Sequence, residues 1–220
     1  MNNNFLKTKF TPILAVIIAF IFFRVPLGLD YFETILATLV ILIASFIEFG
    51  KELFISLGFQ RNKLKIRNLL IIAPLVSGGL FLLYYFILIP GVGHFTGQPI
   101  DFSDFDSLKG NFSAALSMFL LIWVSAGFCE EIISRGYFMQ QFTKFFGNSK
   151  LSIVLNILIL SFIFGWLHNY QGITGQIITG ILWVLLSSIF YFRKYDLWFN
   201  IAVHGFFDTI ALIVLYHGGL

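Results

Sequence analysis

Charge is scarce in this chain: Asp, Glu, Lys and Arg make up 11% of its 220 residues, while 58% are hydrophobic. So few charges cannot coat the exterior of a water-soluble globule with that much apolar surface to hide, which excludes a soluble fold. Cysteine is scarcer still. With Cys129 alone, an intrachain disulfide and a cysteine-based metal cluster are both excluded. No internal repeat, low-complexity tract or domain boundary appears, so residues 1–220 read as a single integral-membrane domain. The formal charge of +3 comes from basic residues in short clusters between apolar runs. That distribution belongs to membrane orientation and excludes nucleic-acid binding.

What is present is a series of apolar runs near the ~20 residues that cross a bilayer as a helix. They cover roughly Phe10 to Leu29, Tyr31 to Phe49, Leu69 to Pro90, Ala114 to Ile133, Leu151 to His168, Ile173 to Phe192 and Leu197 to Tyr216. The fold class expected is therefore all-α, a multi-pass transmembrane bundle of about seven spanning helices. The first run lacks a small-residue cleavage site and is expected to be a retained helix. Residues Tyr137 to Phe146, too short and polar to span, are expected to form a short interfacial helix.

Alternating seven crossings from a cytoplasmic N-terminus puts Lys7, Lys9, Lys51, Arg61, Lys63, Lys65, Arg67, Arg135, Lys144, Lys150, Arg193 and Lys194 on the cytoplasmic side. Only Arg24 and Lys109 fall opposite, so an external C-terminus is expected in a multi-pass protein of the cell membrane. The stretch from Gly91 to Asn111, with Asp101, Asp104 and Asp106, reads as a solvated external loop. The basic connector from Gly58 to Arg67 reads as an orientation signal in contact with anionic lipid.

Ionisable groups inside such helices each cost roughly 2.5–3.5 kcal/mol at the bilayer centre, so they mark function. Three clusters qualify: Cys129-Glu130-Glu131-Ile132-Ile133-Ser134-Arg135, Phe164-Gly165-Trp166-Leu167-His168, and His204-Gly205-Phe206-Phe207-Asp208. Positions four apart share a helix face, so Glu131 faces Arg135 as an internal brace and Glu130 points elsewhere. A carboxylate without such a partner in a desolvated site is suited to general acid and base work, which makes Glu130 the chemical candidate. His204 and Asp208 also share a face, with a spacing that allows an oriented imidazole, two metal ligands, or two groups that bind a developing charge. Cys129 reads as a buried, inert thiol ahead of a nucleophile, Phe164 as packing, and the four tryptophans as packing or interfacial anchors.

These three elements, E-E-x-x-x-R, then F-x-x-x-H, then H-x-x-x-N or D on separate helices, resemble the CPBP intramembrane proteases. That family includes type II CAAX prenyl endopeptidases and lysostaphin-resistance-like and bacteriocin-processing proteins. The resemblance covers about residues 114–216. It implies an endopeptidase that cuts a membrane-associated peptide or protein with water activated by Glu130 and His168. It assigns oxyanion stabilisation to His204 and Asp208, and structural support to Glu131, Arg135 and Phe164. Prenyl endopeptidases usually carry Asn where Asp208 stands, and an ionised Asp cannot donate a hydrogen bond. Asp208 is then protonated, orients His204, or binds a metal. No cofactor is favoured; the alternative is zinc on Glu130, His168, His204 and Asp208. The partners implied are a peptide or membrane-protein substrate and the lipid bilayer.

Helix ends taken at the runs put Glu130 near the cytoplasmic side and His168 near the opposite face, so convergence is expected to need a tilted or broken fifth helix. Other readings of the same clusters are a non-catalytic bacteriocin-immunity or peptide-binding membrane protein, and a proton-coupled transporter.

Overall fold

A computed structural model describes residues 6–24 and 32–220. Its described elements are all helical, in a multi-pass bundle. We number the long helices α1 Thr11–Arg24, α2 Phe32–Phe49, α3 Asn68–Thr96, α4 Phe112–Phe146, α5 Lys150–Leu167, α6 Gly172–Phe192 and α7 Leu197–Tyr216. Six described segments are long and apolar enough to cross a membrane, those that contain α2 to α7. The first apolar run is described only as far as Arg24, and its remainder to Leu29 lies outside the described residues.

Helix ends follow local chemistry where the sequence offers it. Ser149 caps α5 by accepting from the Ser152 N–H at 3.2 Å, and Asp196 caps α7 by accepting from the Phe199 N–H at 3.3 Å. Gly97 closes α3 in the left-handed conformation, at φ +70, that a glycine adopts without strain. Outward faces stay apolar, with Phe46, Ile66, Leu75, Phe86 and Phe162 exposed as a lipid-facing surface requires.

The structure corrects two sequence expectations. Residues Tyr137 to Phe146 are no separate interfacial helix; they are the last turns of α4, which runs unbroken from Phe112 to Phe146. Their polar side chains find partners inside the protein. Gln141 Nε2 donates to the buried Glu48 of α2 at 2.8 Å, and Lys144 pairs with the same carboxylate. Asn156 of α5 ties this end to its neighbours, donating to Met139 O at 2.9 Å and to the Tyr191 hydroxyl at 2.8 Å. The stretch from Gly91 to Asn111 is likewise more than a solvated loop. Helix α3 continues to Thr96, and the apolar side chains of Ile100 and Leu108 turn inward and are buried while Asp101, Asp104 and Asp106 stay exposed.

Small residues set the distances between helices. A Cβ on Gly165 of α5 would stand 2.5 Å from the Gln176 carbonyl oxygen of α6 and 3.3 Å from Gly180 Cα, so these helices touch backbone to backbone. On α4 and α7, a Cβ on Gly127 would lie 3.4 Å from Gly205 Cα. Because a carbonyl cannot yield as a flexible side chain does, Gly165→Ala is expected to destabilise the protein by about 1–3 kcal/mol. Thermal unfolding of the detergent-purified variant checks this, and a wild-type melting temperature would refute the close approach.

Candidate active site

Helices α4 and α7 run antiparallel in one continuous register. Trp123 Nε1 donates to Thr209 Oγ1 at 3.2 Å, Gly127 meets Gly205, Glu131 meets His204, and Gly136 meets Leu197, where a Cβ would come within 3.2 Å of Leu197 Cδ2. Each step down α4 is matched by a step up α7, so the carboxylates of one helix and the imidazole of the other arrive at the same height.

The continuation of α4 to Phe146 brings the second histidine to that height as well. Glu130 lies about 24 Å along α4 from Phe146, and His168 about 27 Å along α5 from Lys150, at the α-helical rise of ~1.5 Å per residue. Since α5 starts beside the end of α4, the two side chains lie at similar depth. The mismatch expected from the sequence came from ending the fourth helix too early, and α5 remains continuous from Lys150 to Leu167. In α4 itself, two stretches of wide, π-helical turns, Ile122–Glu130 and Ile132–Phe138, flank Glu131; such turns often occur at functional sites.

Glu130, His168, His204 and Asp208 all line one cavity of about 740 Å³. Phe102, Phe105 and Leu108 of the connector between α3 and α4 contribute to its wall, as do Phe20 and Phe23 of α1. Glu131 stands behind that wall, fully buried. Its Oε1 accepts from Arg135 Nη1 at 2.7 Å and lies 2.9 Å from His204 Nδ1. The sequence indicated the first of these bonds; the second it could not show. Glu131 is thus both the partner of Arg135 and the anchor of His204, whose other nitrogen, Nε2, lies 3.4 Å from Asp208 Oδ2.

His168 is held differently. Its Nδ1 lies 2.8 Å from the Phe164 carbonyl, which only accepts, so Nδ1 carries the proton and Nε2 of the neutral ring keeps its lone pair. The imidazole also packs on the Phe164 ring at 4.6 Å between centroids, and Phe164 packs on Trp183 at 4.1 Å. Trp183 in turn carries the Arg135 guanidinium over its face at 3.8 Å. Arg135 therefore supports one histidine through Glu131 and the other through a column of rings. Trp183 had no motif to mark it, whereas Phe164 was visible through its place four residues before His168.

Cys129 is buried and does not line the cavity. Ser134 does, but its hydroxyl donates back to the Glu130 carbonyl. Among the described residues no three His, Cys, Asp or Glu side chains converge as a metal-binding group. His204 has a carboxylate near each ring nitrogen, and His168 commits Nδ1 to the backbone.

Removing one partner of a buried ion pair typically costs about 3–5 kcal/mol, so Glu131→Gln and Arg135→Gln are both expected to lower folded yield and melting temperature. Size-exclusion and thermal unfolding of the purified variants measure it. A Glu131→Gln protein of normal stability would show that the shared carboxylate is not what holds this end of the site.

Comparison with known families bears on the same segment. The chain matches the family model described as type II CAAX prenyl endopeptidase Rce1-like over residues 112–210. No curated protein and no solved structure matches it. The matched segment, just under half of the chain, contains Glu130, Glu131, Arg135, Phe164, His168, His204 and Asp208, and over it the chain is similar to that family.

Proposed function

We propose that this protein is a CAAX-type membrane endopeptidase that works by a glutamate mechanism without a metal, with Glu130 as general base. The observation that carries the reading is that Glu130, His168, His204 and Asp208 line a single cavity whose remaining wall is largely apolar. A water between Glu130 and His168 gives one hydrogen to the His168 Nε2 lone pair as a hydrogen bond and its other proton to the Glu130 carboxylate. The oxygen attacks the peptide carbonyl carbon, and the carbonyl π electrons move onto the oxygen to form the tetrahedral oxyanion. His204, charged and held between Glu131 and Asp208, offsets that negative charge. When the C–N bond breaks, the proton on Glu130 passes to the departing nitrogen, which leaves an amine and a carboxylic acid.

In this reading Asp208 orients His204, one of the three roles left open by the sequence, and the 3.4 Å approach to Nε2 supports it. Glu131, set behind the cavity wall, acts on the reaction through His204. The substrate class is a peptide or membrane-protein segment that reaches the cavity from the bilayer, consistent with the apolar wall. The lysine and arginine partition supports a cytoplasmic N-terminal side and basic connectors, with residues 97–111 and the Tyr216 end of α7 external.

Two experiments test these statements. Glu130→Gln keeps shape but removes the base, so cleavage of an internally quenched farnesylated CAAX peptide should fall at least ~10²-fold at unchanged melting temperature. A strong chelator should leave wild-type turnover unaltered. Full activity in Glu130→Gln, or loss of activity on chelation, would overturn the base or the metal-free mechanism respectively. For orientation, single cysteines at Asn62 and Ser107 on a Cys129→Ala background report the side directly. Asn62→Cys should label only after permeabilisation and Ser107→Cys in intact cells; the opposite pattern would invert the topology.

A further inference from the structure

Three carboxylates surround the place where the oxyanion forms. Glu130 and Asp208 line the cavity and Glu131 lies immediately behind it, within hydrogen-bonding distance of His204. Glu130 takes up the water's proton as the oxyanion forms and Glu131 is paired with Arg135, so the charge that remains beside the oxyanion is that of Asp208, which in its ionised form offers acceptors alone. One histidine is a thin supply of positive charge for this load. Neutral donors are therefore needed on the cavity wall, and most are already committed to the protein. Ser134 donates to the Glu130 carbonyl, Thr179 to Gln171 Oε1 at 3.3 Å, and His168 Nδ1 to the Phe164 carbonyl. Arg135 is fully buried and turned toward Glu131.

Tyr84 of α3 is different. Its side chain lines the same cavity, yet its hydroxyl makes no hydrogen bond to the described residues. The ring is fixed by an edge-on contact with Phe207, the neighbour of Asp208, at 5.5 Å between centroids, and by Phe81 at 5.7 Å. It begins a wide π-helical turn, Tyr84–Leu88. Helix α3 lies outside the segment matched to the family, so nothing about the motif residues marks this position.

We infer that Tyr84 is a further catalytic residue, whose hydroxyl donates a hydrogen bond to the oxyanion from the cavity wall beside Phe207 and supplies the neutral donor that Asp208 cannot. The inference rests on the hydrolytic reading of the cavity. A phenol serves well there because it brings a donor without a second negative charge and its rigid ring loses little freedom on engagement.

The test is a cycle of variants, with the quenched farnesylated peptide as probe and melting temperature as a check on folding. Tyr84→Phe removes only the oxygen and should lower kcat about 10²-fold with KM within about threefold, the usual effect of losing one oxyanion donor. Asn at position 208 still accepts from His204 through its oxygen and brings an N–H of its own. The double variant Tyr84→Phe with Asp208→Asn should therefore regain at least about tenfold over Tyr84→Phe alone, which a purely structural role for the ring would not produce. Glu130→Gln separates the possible failures. If the wild type does not cut the probe, or Glu130→Gln cuts it normally, the hydrolytic reading falls and this inference with it. If those controls behave as expected but Tyr84→Phe turns over within twofold of wild type, or Asp208→Asn gives no recovery, Tyr84 is not the donor and the hydrolytic reading stands.

Discussion

The site depends on one carboxylate that is shared. Glu131, without solvent contact, takes an arginine of its own helix and a histidine of another on the same oxygen. In an apolar interior, an unpaired carboxylate and an unpaired guanidinium would each be prohibitive, so the pair must form together. Once formed, its negative end orients His204, and the flat face of Arg135 is free to lie on Trp183. The cost of placing charge in the membrane interior is offset by partners that also position both histidines.

That arrangement requires helices to be close and level. Glycine at 127, 165, 180 and 205 brings α4 to α7 and α5 to α6 at near backbone contact, where a larger residue would push Glu131 out of reach of His204 or shift His168 on its turn. Level placement comes from length. A fourth helix ending at Ile133 would leave Glu130 at the membrane edge, whereas the observed α4 continues well beyond it and carries the site to mid-helix. Glu48 makes the extension tenable by accepting from Gln141 and pairing with Lys144, which would otherwise favour water.

How much of this the sequence disclosed depends on whether the signal was local. The helix from Leu197 to Tyr216 and the i,i+4 pair of Glu131 and Arg135 were legible because apolar length and helical phase are properties of neighbouring residues. The end of α4 was not, because Gln141 and Lys144 look like interfacial residues until a distant Glu48 is known to meet them. The second bond of Glu131, the Trp183 column and the inward turn of residues 100–108 are likewise contacts between elements far apart in sequence. The polar motifs marked residues that come together around one cavity; the glycines between them gave no hint of which pairs would touch.

The two adjacent glutamates divide the physics of the site between them. A buried carboxylate with an arginine and a histidine on one of its oxygens is a poor base, since its charge is neutralised by those partners. A carboxylate one residue away, rotated into the cavity and paired with neither, keeps the basicity that the proposed mechanism asks of Glu130. Helical phase alone separates these fates, because adjacent residues cannot face the same way on one helix. In the proposed mechanism the sequence Glu-Glu therefore pairs an anchor with a reactive group. The constraint explains why the reactive position must come first: one residue later, the carboxylate would fall opposite Arg135 and be quenched by it.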